Sequence, residues 1–158
     1  MKKTTLVAAL LITLLGFAFT MADAADKFVG KPGPEFHVEE WVSSQADTDG
    51  KYILIDFWAT WCGPCVRGIP HMNELHSQFK DKVAIVAVSR ESRDKVEAMK
   101  NPVMDYYSAI DSQGRMGRFF EIRSIPHVVL MDPDGIVLWK GHPGGLSKSK
   151  LKSLISDS

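Results

Sequence analysis

The sequence predicts an α/β fold, with one mixed central sheet and helices on both of its faces. Three observations predict it. Two continuous apolar runs, Tyr52 to Trp58 and Val83 to Val88, read as buried strands. Val66, Ile69, Met72, Leu75 and Phe79 form a helical stripe between them. The chain then closes on two short apolar runs joined by Asp132-Pro133-Asp134-Gly135, a hairpin followed by a helix. Strands alternating with helices before such a hairpin imply a mixed sheet.

The elements follow in order. Lys2 and Lys3 precede an unbroken apolar run from Leu6 to Phe19, and Ala22-Asp23-Ala24 places small residues where a signal peptidase reads. Residues 1–24 are therefore expected to be a signal peptide, with residues 25–158 as one domain; an uncleaved membrane anchor is the alternative. A loop-like lead, Gly30-Lys31-Pro32-Gly33-Pro34, runs into a short strand at Phe36 to Val38. After the first buried strand, a helix is expected from about Cys62 to Lys80, kinked by Pro70. Glu91 to Lys100 is a charged, exposed helix closed by Asn101-Pro102. Met116, Phe119 and Phe120 mark one face of a short helix. Val128 to Met131 and Ile136 to Trp139 form the hairpin. Ser147 caps a last helix bearing Leu151, Leu154 and Ile155.

The chain has 158 residues, enough for one core and one domain. Its formal charge is zero, so it carries no basic footprint for nucleic acid and no acidic tail. Only two cysteines occur, Cys62 and Cys65. An exported protein meets an oxidising compartment, where cysteines are usually paired or absent. As a mere staple this pair would be weak, because so short a loop removes little unfolded-chain entropy.

Trp61-Cys62-Gly63-Pro64-Cys65 sits where a buried strand gives way to a helix. Unpaired N–H groups and a partial positive charge at a helix N-terminus stabilise a thiolate. Cys62 is thus the expected nucleophile, with a lowered pKa, and Cys65, one turn further in, the shielded resolving thiol. Pro64 suits the first turn, where a missing N–H costs nothing. His71 and His76 suggest a zinc site, but five residues apart on one helix they point to different faces. No metal or other cofactor is expected.

Asp56-Phe57-Trp58-Ala59-Thr60-Trp61-Cys62-Gly63-Pro64-Cys65 resembles the active-site segment of thioredoxin. Pro70, the segment Ile122-Arg123-Ser124-Ile125-Pro126, and Gly144-Gly145-Leu146-Ser147-Lys148 resemble that family's helix kink, cis-proline and C-terminal glycine turn. The lead from Val29 to Phe36 and the long stretch between Cys65 and Pro126 resemble the exported TlpA/ResA-like branch. In that branch an extra strand and helix occupy the middle, here residues 90–110. The resemblance implies a thioredoxin fold and a thiol–disulfide oxidoreductase. It implies a cis bond before Pro126, facing the cysteines, which frees the backbone of Ile125 to pair with an extended substrate. Trp61, Gly63, Pro64, Ile125, Pro126 and Gly144 would line the substrate groove.

Asp56 shares a strand face with Leu54 and Trp58 in a run otherwise fit for burial. A buried carboxylate has a raised pKa and exchanges a proton near neutrality. It resembles the thioredoxin aspartate that helps deprotonate the resolving cysteine, here Cys65. An edge-exposed or internally bonded carboxylate is the alternative. Exported relatives that serve cytochrome maturation often carry a glutamate one helical turn after the second cysteine; this chain has Gly68 there. His127 reads as a satisfied strand histidine, with a role near the groove as the alternative; His37, His71, His76 and His142 read as surface residues, and Trp41 and Trp139 as core or rim packing.

The leading expectation is an exported, periplasmic-type reductase of protein disulfides, acting as a monomer and recharged by a membrane thiol relay. An oxidase or isomerase on the same fold is the first alternative, and a non-enzymatic copper-handling module the second. A thiol peroxidase of the pattern Pro-x-x-x-Thr-x-x-Cys is disfavoured, because Ile55 and Ala59 stand where that pattern needs proline and threonine.

Overall fold

A computed structural model of the chain describes residues 26–156. The expected signal peptide, residues 1–24, lies outside them. Six strands form one mixed sheet, β1 (Glu40–Trp41), β2 (Tyr52–Phe57), β3 (Val83–Ser89), β4 (Tyr107–Ile110), β5 (His127–Met131) and β6 (Val137–Gly141). Their order across the sheet is β1-β4-β3-β2-β5-β6. The pairs β2–β3 and β3–β4 are parallel, and β1–β4, β2–β5 and β5–β6 antiparallel.

The helices are α1 (Gly63–Phe79), α2 (Arg93–Ala98), α3 (Arg115–Phe119) and α4 (Lys148–Leu154), with a 3-10 turn at Pro143–Gly145 before the last. Alternation along β2 divides the core in two. Leu54 faces a cluster with Ile69, Met72 and Leu75 of α1, Val96 of α2 and Leu151 of α4. Ile55 and Phe57 face the other cluster, with Met116 of α3, Phe120 just after it, and the half-buried Phe28, Phe36 and Trp41 of the lead. Helices cover both faces of the sheet, a thioredoxin-like arrangement. Residues 90–110 carry α2 and β4, the expected insertion, and β4 extends the sheet beyond β3.

Three expectations need correction. Phe36 to Val38 is not a strand. Phe36 and Val38 pack on the core without a strand partner among the described residues, and pairing starts at Glu39, whose N–H donates to Ile110 O at 2.9 Å. The short β1 follows and pairs with β4. The helix placed at 91–100 is only α2, starting after Ser92, because Glu91 is engaged elsewhere. His71 and His76 are half-buried rather than surface residues. His71 Nε2 lies 3.0 Å from Leu146 O, and the His76 ring meets Tyr107 edge-on. Burial lowers the pKa of His76, aided by Lys80 and opposed by Asp105. His37 and His142 are exposed, and Trp41 and Trp139 pack at the rims of the two clusters.

Two local contacts shape the lead and the start of α3. A Cβ on Gly33 would lie 2.7 Å from Met131 Sδ, so a larger residue there would require the methionine side chain to shift. The fully buried Asp111 accepts the N–H groups of Arg115 and Met116, both at 2.9 Å, and so closes the start of α3.

Candidate active site

The site begins where β2 ends. Its sequence is apolar and β-rich up to Phe57, and Thr60-Trp61 turns the chain towards α1. Glu91 clamps that turn. Its carboxylate oxygens accept the Thr60 N–H at 2.7 Å and the Thr60 hydroxyl at 2.8 Å, while Ser89 Oγ donates at 3.4 Å. Cys62 then caps α1 with extended backbone, and its sulfur accepts the N–H of Cys65 at 3.2 Å. Pro64 occupies the first turn, and Pro70 lies within the helix. Cys62 and Cys65 form a disulfide with Cα atoms 5.2 Å apart.

Both sulfur-bearing residues are buried in this oxidised form, Cys62 at 4% and Cys65 at 5% exposure. Trp61 beside them is 74% exposed, and Gly63 and Pro64 are also on the surface. The Ile125–Pro126 bond is cis, as is Asn101–Pro102. Ile125 and Pro126 are half-buried, and Gly144 is exposed in the 3-10 turn, its N–H donating to His142 Nδ1 at 3.0 Å. His127, the first residue of β5, is half-buried; burial lowers its pKa, as does Lys140, against the opposing pull of Asp26.

Asp56 pairs with Ala87 of β3 and Val128 of β5, in the middle of the sheet. It lies on the face that α1 covers, where Leu54, Trp58, Cys62 and Cys65 belong to one cluster. Its side chain is buried, and Oδ2 accepts the Tyr106 hydroxyl at 3.0 Å. Burial raises its pKa to about 7, and the Tyr106 hydrogen bond pulls in the opposite direction. Tyr106 is pushed well above the ordinary phenol value, by burial first and by the carboxylate beside it second. Sequence reasoning missed both Tyr106 and Glu91. Tyr106 is 50 residues from Asp56 and Glu91 is 31 from Thr60, and only the sheet brings each pair together. Gly68 follows Cys65 by almost one turn, and a Cβ there would meet nothing within 4 Å.

A buried disulfide at a helix N-terminus, on the side of the sheet where burial raises the pKa of Asp56 to about 7, can exchange disulfides. The comparisons agree. The AhpC/TSA family model matches residues 23–140. The chain belongs to the AhpC/TSA family. It is a thioredoxin-like thiol–disulfide oxidoreductase. It is 30% identical to the thioredoxin-like protein YneN of Bacillus subtilis, over 98% of each chain. It is 33% identical to the thiol–disulfide oxidoreductase ResA of Bacillus cereus, over 89% of each chain. Among solved structures, a putative thiol:disulfide interchange protein DsbE from Chlorobium tepidum matches with a TM-score of 0.67 and 26% identity. That match covers 82% of this chain and 96% of the other.

Proposed function

We propose that this oxidoreductase is an exported reductase of protein disulfides, with Cys62 as nucleophile and Cys65 as resolving thiol. The observation that carries the assignment is the N-cap geometry. Cys62 Sγ receives the N–H of Cys65 at the positive end of a seventeen-residue helix, where a thiolate is favoured over a thiol. In the reduced protein, the Cys62 thiolate attacks one sulfur of a substrate disulfide. A mixed disulfide forms and the other substrate sulfur leaves as a thiolate. Asp56 accepts the proton of Cys65, and the Cys65 thiolate attacks Cys62 Sγ. The second substrate sulfur leaves, and the Cys62–Cys65 disulfide remains. Two electrons have passed to the substrate.

Trp61, Gly63, Pro64, Ile125, Pro126 and Gly144 form the surface on which the substrate chain would lie. The N-terminal pattern of residues 1–24 supports export, and two further electrons must come from outside, through a membrane thiol relay. The test is the redox equilibrium of the Cys62–Cys65 pair against a glutathione buffer, with turnover on insulin. A strongly reducing couple with rapid insulin reduction supports the reading. A couple as oxidising as that of a disulfide-donating oxidase reverses the direction.

A further inference from the structure

A cleft of about 950 Å³ opens on the side of α3, and neither cysteine lines it. Trp61, the neighbour of Cys62, and Ile125, the neighbour of Pro126, both line it. Its lining includes apolar side chains such as Val88 together with the exposed Arg90, Arg118 and Arg123. None of these three arginines makes an ion pair among the described residues. The two carboxylates of the cleft are already engaged. Glu91 accepts from Thr60 and Ser89, and Glu121 pairs with Lys27, with Arg123 and Lys140 near enough to add to its stabilisation. Arg118 donates to Gln113 O, which leaves its charge uncompensated. Arg90 lies over Gly114, where φ is +64° and a Cβ would stand 2.7 Å from Arg90 Nε. Glycine at that position both accepts the backbone and leaves room for the guanidinium.

We propose that this cleft is a specificity site for an acidic polypeptide segment next to the disulfide being exchanged. The assignment rests on the disulfide-exchange reading of Cys62 and Cys65. An apolar wall accepts the aliphatic parts of such a segment, and the three guanidiniums offer fork-shaped donors to its carboxylates. A small net excess of positive charge in a concave site also steers acidic partners towards it.

The experiment uses two peptides of equal length, each with one disulfide, flanked by glutamates in one and glutamines in the other. Binding is read by fluorescence anisotropy on forms whose sulfurs are methylated, so that no exchange occurs, and turnover is read separately on the disulfide forms. The acidic peptide should bind on the order of 5- to 10-fold tighter at low salt, the yield of two or three exposed ion pairs. The preference should collapse in about 0.5 M salt. It should also disappear in the triple variant Arg90→Gln, Arg118→Gln, Arg123→Gln, and persist in the corresponding lysine triple. Equal binding of the two peptides, or a preference that survives the glutamine triple, would overturn the proposal. Absent turnover of both peptides would instead count against the disulfide-exchange reading, while the methylated forms still test the cleft.

Discussion

The Tyr106 hydroxyl donates to Asp56 Oδ2 at 3.0 Å, and both side chains are buried. Two opposing effects meet at this carboxylate. Burial in an apolar cluster disfavours its charge, and the hydroxyl favours it. Burial wins, and the resulting pKa of about 7 keeps both protonation states accessible at neutral pH. The proton transfer proposed from Cys65 to Asp56 needs that balance, because a carboxylate of ordinary pKa is too weak a base and a permanently protonated one is none.

Asp56→Asn should raise stability in a pH-dependent way. The folded-state pKa of about 7 exceeds the ordinary 3.8, so protonation favours the folded protein. Below pH 3.8 the group is neutral in both states and costs nothing; the penalty grows as pH rises and is complete above 7. The penalty is at most about 4 kcal/mol. The variant should therefore gain on the order of 2–4 kcal/mol at pH 8 and almost nothing at pH 4, measured by urea unfolding. Its turnover near pH 7 should fall about 10- to 100-fold and recover as pH rises.

Tyr106→Phe separates position from packing. Losing the donor leaves the Asp56 charge with less support, so the carboxyl holds its proton to higher pH. The midpoint of the pH–rate profile should move upward by about one pH unit, the scale of one hydrogen bond to a charged acceptor. A purely structural tyrosine would lower stability and leave that midpoint in place.

Gly68→Ala tests the empty position after the cysteines. Gly68 lies inside α1, its backbone is not left-handed, and nothing stands within 4 Å of an added Cβ. Helix propensity then decides the outcome, and thermal or urea unfolding should show a gain of about 0.5–1 kcal/mol. A loss would mean that the backbone there needs glycine after all.

The site was legible where chemistry and local pattern coincide. The apolar run of β2 ending at Trp61-Cys62-Gly63-Pro64-Cys65 places the disulfide at a helix start without any tertiary information. Asp56 stood out because a carboxylate interrupts a run built for burial. Its partner did not, since Tyr106 precedes β4, and nothing near Tyr106 in the sequence says which face of the sheet it will meet. The charged neighbours of Glu91 predict a helix there, whereas the strand order carries Glu91 to Thr60. Phe36 and Val38 alternate as a strand would, yet alternation reports burial of one side and not a hydrogen-bonded neighbour. The two-residue β1 is too short to leave a periodic signal.

The central claim is that Cys62 attacks and Cys65 resolves. Mass mapping of the reduced protein, alkylated briefly with iodoacetamide at neutral pH, tests it most directly, paired with Cys62→Ser and Cys65→Ser variants offered a disulfide substrate. The account predicts modification of Cys62 first, no activity in Cys62→Ser, and a stable mixed disulfide through Cys62 in Cys65→Ser. Preferential alkylation of Cys65, with the mixed disulfide accumulating on Cys65 in Cys62→Ser, would contradict it.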